Sequence, residues 1–89
     1  MKRVYKQKLA VCDEQDVFLP KGSKALHIDI QKEDVCMWFE CDDEAQIERR
    51  KILCIGTGYR VPSQEAEYIG TVLLYGGSLV YHFYMEVAK

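Results

Sequence analysis

With 89 residues the chain is long enough for one domain, 1–89, and its 48% hydrophobic content is that of a folded globule, not a disordered segment. A net charge of −2 creates no field that would draw in a polyanion, so DNA is not expected as a partner. No apolar run approaches the ~20 residues of a membrane span, and Lys6 and Lys8 interrupt any signal-like core, so no membrane partner is expected and the cytoplasm is the expected location.

Strand-like alternation begins at once. "RVYKQKLAV" and "QDVFLP" read as two strands, the second ended by Pro20 and followed by the turn "PKGS". In "KALHIDIQK", Leu26, Ile28 and Ile30 fall on one face and His27, Asp29 and Gln31 on the other. After the turn residues Lys32 to Asp34 comes "VCMWFEC", with Val35, Met37, Phe39 and Cys41 opposed to Cys36, Trp38 and Glu40, so the two runs predict a hairpin. "DDEAQ" leads into "IERRKILCIGTG", where Arg49, Lys51, Leu53 and Ile55 share a face and the N-terminal half is expected to be solvated. "PSQEAEY" offers one helical turn with Ser63 as its N-cap. "YIGTVLLY" and "SLVYHFYMEV" flank Gly76-Gly77, and such a pair between two β-rich runs predicts a second hairpin, because glycine accepts positive φ. The expected fold is therefore all-β: a small antiparallel sandwich or barrel of about seven short strands with at most one short helix.

Chemistry centres on the two Ile-Gly-Thr triplets, Ile55–Thr57 and Ile69–Thr71. "GTGYRVP" fits neither a P-loop nor a dinucleotide fingerprint. Gly56 and Gly58 either let a strand end bend, or expose backbone N–H groups as an anion nest to which Thr57 and Arg60 add donors. Gly70, inside a strand, points to a bulge or a close backbone approach. Six tyrosines and one tryptophan supply aromatic faces for packing or for stacking bases. On the last strand Val80, His82, Tyr84 and Glu86 alternate with Tyr81, Phe83, Met85 and Val87, bulky on both faces. That pattern marks either a strand covered twice or an assembly surface, and with so small a core it predicts a homo-oligomer. His82 is a structural histidine or a donor to an anionic ligand. Cys36-x4-Cys41 puts its thiols on opposite strand faces, so no metal is expected, and without a leader the four cysteines are expected to be reduced and mostly buried. No Ser/His/Asp pattern or nucleophile elbow is present; no catalytic residue and no cofactor is assigned, and an enzyme is not expected.

Val4-Tyr5-Lys6, Glu14-Gln15, Leu19-Pro20 with Gly22, Trp38, Gly56-Thr57-Gly58, Pro62, Tyr68 to Thr71, Gly76-Gly77 and His82-Phe83 together span nearly the whole chain. In these the chain resembles a family of small, mostly uncharacterised phage- and prophage-encoded proteins. Family members often carry His after Gly-Thr-Gly, where this chain has Tyr59, so no imidazole role is carried over there. The resemblance implies a compact β fold, a phage origin and the cytoplasm of an infected bacterium. Small phage accessory proteins often counter host defences, some by sequestering the nucleotide second messengers of host immunity and others by blocking a defence protein, so a counter-defence role is expected. For sequestration the candidate ligand-binding residues are Gly56, Thr57, Gly58, Tyr59, Arg60, Trp38, Tyr68, Thr71 and His82. The alternative is a protein-interaction module that inhibits a host nuclease or similar defence protein, or a phage accessory structural piece.

Overall fold

The computed structural model describes residues 1–61 and 65–87. In chain order the strands are β1 (Lys2–Leu9), β2 (Glu14–Pro20), β3 (Lys24–Gln31), β4 (Asp34–Asp42), β5 (Ile47–Gly56), β6 (Ala66–Leu74) and β7 (Leu79–Glu86). A single 3₁₀ turn at Tyr75–Gly77 joins the last two. They form two antiparallel sheets, β1-β4-β3 and β2-β5-β7-β6, so the expected sandwich or barrel is an open sandwich. The helical turn expected at "PSQEAEY" falls partly on residues 62–64, outside the described residues, and from Ala66 onward the chain is strand. No helix among the described residues is long and apolar enough to cross a membrane.

Period-two alternation builds the core. Val35, Met37, Phe39 and Cys41 of β4 face Ile52 and Cys54 of β5, Phe83 and Met85 of β7, and Val17 and Leu19 of β2, all in one buried cluster. Met37, Ile52 and Phe83 are wholly enclosed, each worth ~1.5–3 kcal/mol of burial. Cys36, Cys41 and Cys54 are buried and all four thiols are free. β7 lies between β5 and β6, which explains its bulk: Phe83 and Met85 fill the core, while His82 and Tyr84 point to the other face.

Two expectations need correction. Leu26, Ile28 and Ile30 do not form one apolar face, because a bulge between Ala25 and His27 leaves Leu26 without a partner on β4. Only Ile28 enters the core, and Leu26 is 47% exposed. Nor is the N-terminal half of β5 solvated throughout. Arg50 shares the core face with Ile52 and is only 7% exposed. Its guanidinium donates to the carbonyls of Ser23 and Glu86, both at 3.3 Å, with Glu48 4.0 Å away. Burial of such a charge is tolerated because the two carbonyls replace part of its hydration.

The flank where β3 meets β6 is set by Gly70. A Cβ there would stand 2.4 Å from Ile28 Cγ2, closer than atoms can approach. Gly70 also belongs to a bulge, since the β6–β7 register shifts between Tyr68 and Gly70. Both sequence expectations for this glycine are therefore met. Gly70→Ala is expected to cost ~1–3 kcal/mol through overpacking. Ile28→Ala in the same chain removes the methyl that it strikes, and a double-mutant cycle by urea unfolding should return part of the loss.

The β3–β4 hairpin turns on Lys32 and Glu33, at φ of 49° and 73°. Left-handed backbone costs non-glycine residues ~1–2 kcal/mol each, and Asn-Gly is the preferred pair for such a turn. The Lys32→Asn/Glu33→Gly protein is expected to gain ~1–2 kcal/mol, read as a higher urea midpoint at unchanged slope.

Candidate functional site

β5 and β6 flank β7, and both run antiparallel to it. Ile55 and Thr71 therefore stand on either side of His82 in the register. Thr71 Oγ1 lies 2.9 Å from His82 Nδ1, and Thr57 Oγ1, just past the end of β5, lies 2.8 Å from Nε2. The two Ile-Gly-Thr triplets thus supply the two hydroxyls that hold one imidazole. Tyr68 Oη bonds Thr71 Oγ1 and completes a row, Tyr68–Thr71–His82–Thr57, on the face of the sheet turned away from the core.

The bulge makes this row possible. Three residues apart on a regular strand, Tyr68 and Thr71 would point to opposite faces. The extra residue at Ile69–Gly70 returns both to the same face, where they pair with Tyr84 and His82. Tyr84 meets Tyr68 edge to face at 5.5 Å. Sequence reasoning did not assign Tyr84 to the site, although its alternation with His82 was the available signal.

A neutral imidazole has one donor and one acceptor nitrogen, and a hydroxyl can meet either. Both nitrogens are thereby satisfied by neutral partners. Among the described residues no carboxylate touches the ring, so the row differs there from a hydrolase triad, in which a carboxylate stabilises the imidazolium. Its terminal hydroxyls, on Thr57 and the 57%-exposed Tyr68, remain accessible.

The Gly56–Arg60 stretch forms the adjoining edge. The Tyr59 N–H donates to the Gly56 carbonyl at 3.1 Å, closing a turn in which Gly58 has a φ of 90°. The Thr57 N–H donates to Val80 O at 3.4 Å. These two amides are spent within the fold, which favours the bend over the nest as the purpose of the glycines. The Tyr59 ring lies against Gly56, where a Cβ would stand 3.1 Å from Cδ2. Beside it a groove of about 200 Å³ is bordered by Tyr59, Arg60, Leu53 and Ile55, and also by Asp13 and Glu14, so the charge around Arg60 is mixed. Cys54 borders the same groove; burial pushes its thiol up to about 11, with Cys12 and Asp13 adding to the effect, so it stays a thiol at neutral pH. A second groove of about 310 Å³ runs from Gly56 and Thr57 to Leu79 and Tyr81.

Eight of the nine candidate residues (Gly56, Thr57, Gly58, Tyr59, Arg60, Tyr68, Thr71 and His82) belong to this region. Trp38 does not. Met37 and Phe39 point into the core, so Trp38 points out of the other sheet, between Lys6 of β1 and His27 of β3, whose ring lies 6.2 Å away. The full thickness of the sandwich separates it from the row.

Fold and site together define an open antiparallel β-sandwich with a hydroxyl–imidazole row on the outer face of one sheet. Over residues 1–89 the chain matches the family described as "Domain of unknown function (DUF7352)", and it belongs to that family. No curated protein and no solved structure matches it.

Thr71→Val keeps the shape of the side chain and removes the central hydroxyl. It is expected to cost ~1 kcal/mol of stability and to move the His82 ring ¹⁵N shifts toward those of freely exchanging tautomers. Unchanged shifts would show that the row does not form in solution.

Proposed function

We propose that this protein is a phage-encoded, non-enzymatic counter-defence protein that binds and sequesters a nucleotide second messenger of host immunity in the cytoplasm of the infected cell. One observation carries the reading: the Tyr68–Thr71–His82–Thr57 row sets hydroxyl and imidazole groups on the sheet face turned away from the core, with the exposed Tyr68 and Thr57 at its ends and, among the described residues, no carboxylate among its partners. Such a row can donate to phosphate oxygens without repelling them, and it lacks the carboxylate of a Ser-His-Asp arrangement. Tyr68 and Tyr84 beside it offer faces for a base. Arg60, in the neighbouring groove, adds a cation partly offset by Asp13 and Glu14. The resemblance to phage-encoded proteins supports the biological setting.

A second reading, a module that inhibits a host defence protein or serves as an accessory structural piece, draws on exposed apolar side chains near the row. Leu73, Tyr75 and Leu79 of the β6–β7 hairpin are all uncovered. Isothermal titration against cyclic dinucleotides and cyclic ADP-ribose isomers separates the two. The expected result is saturable binding on the order of micromolar or tighter, weakened about tenfold by Thr71→Val and by His82→Ala. No heat with any of them, together with a stoichiometric host protein retained equally well by the Arg60→Ala chain, would move the assignment to the second reading.

A further inference from the structure

The sandwich is closed along one flank, where β3 packs on β6, and open along the other, where β1 and β2 end their sheets with no further strand alongside among the described residues. These two free edges carry opposite charge. β1, KRVYKQKL, has four cations and no acid, while β2, EQDVFLP, has two acids and no cation. A cationic edge repels a copy of itself, and so does an acidic one, but each attracts the other.

The side chains match in register as well as in sign. On the outward faces β1 presents Lys8, Lys6 and Val4, and β2 presents Glu14, Asp16 and Phe18. If an antiparallel ladder sets Lys6 opposite Asp16, period two sets Lys8 opposite Glu14 and Val4 opposite Phe18. Val4 and Phe18 are 56% and 65% exposed, apolar side chains that the fold leaves uncovered. Most of the edge charges are engaged within the chain: Lys2 with Glu40, Lys8 with Asp34, Glu14 with Lys51, and Arg3 with Asp43, whose carboxyl the Arg3 hydrogen bond holds below the usual range. Among the described residues Lys6 and Asp16 form no ion pair, and the Lys6 ammonium bonds only the neutral Gln31 amide, at 2.7 Å.

We propose that the open flank is a homodimer interface in which β1 pairs antiparallel with β2 of a second copy, with Lys6 beside the partner's Asp16, and the same two-fold operation pairs β2 with the partner's β1. A second copy is the occupant because it alone brings both complementary edges at once, and an isologous contact of this kind closes on itself without growing into a filament. Each three-stranded sheet then continues into the partner's four-stranded sheet, and no edge remains on that flank.

The unmodified chain is tested by sedimentation velocity and by zero-length carbodiimide coupling of a mixture of ¹⁴N and ¹⁵N protein. Expected is a species of twice the chain mass at protein concentrations on the order of 100 µM, with a heavy–light cross-link joining Lys6 to Asp16. Lys6→Glu and Asp16→Lys should each weaken association about fivefold, and the double exchange should restore it. Thr71→Val, remote from this flank, should leave association unchanged. A monomer at that concentration, or a dimer whose cross-links avoid β1 and β2, overturns the proposal.

Discussion

One extra residue in β6 decides where the rest of the molecule goes. At Ile69–Gly70 two residues stand opposite Phe83, and the strand shifts register by one. On the inner face the shift lays bare glycine backbone under Ile28, so that β3 and β6 can approach until the flank is sealed. On the outer face it turns Tyr68 and Thr71 to the same side and lets their hydroxyls meet. A glycine is needed here for close approach, whereas at Gly58, Gly76 and Gly77 it supplies positive φ. Packing and site geometry thus rest on the same local irregularity, and a substitution that tightened the core at this point would also dismantle the polar row.

The second constraint is topological. Because β7 lies between β5 and β6, its side chains are read from both sides by residues distant in sequence. His82 receives one hydroxyl from residue 57 and another from residue 71, and its ring is held at both nitrogens without any charged partner. An imidazole fixed in this way is preorganised as a hydrogen-bonding group. The repetition of Ile-Gly-Thr therefore reflects convergence on one side chain, not duplication of a loop.

Much of this was legible in the sequence where periodicity is local. Val35 to Cys41 alternate cleanly, and every second residue is in the core. Gly76-Gly77 marks the last hairpin, and both take positive φ. What was not legible depends on contacts across sheets. The bulge at Leu26 leaves no trace in composition, and Arg50 reads as a solvated charge until the carbonyls of Ser23 and Glu86 are brought to it. Trp38 and Tyr68 are equally plausible stacking residues in one dimension. Only the assignment of β4 and β6 to different sheets separates them. Thr57, Thr71 and His82 could be named as candidates, but their convergence required knowing that β7 is shared.

The connection between β1 and β2 shows how a small chain keeps two sheets apart. The Gln15 side-chain amide donates to Ala10 O at 2.7 Å and accepts from Ala10 N at 2.9 Å, occupying both polar groups of Ala10 as a neighbouring strand would. With these backbone groups held by a side chain, the chain can leave one sheet and enter the other without a neighbouring strand to pair it. That switch places β1 and β2 in different layers instead of in one hairpin, which makes the fold a sandwich and also creates two free edges in so small a domain. The lysines of β1 and the acids of β2 then limit what those edges can join: each resists its own kind, and the pairing that remains open is between unlike edges.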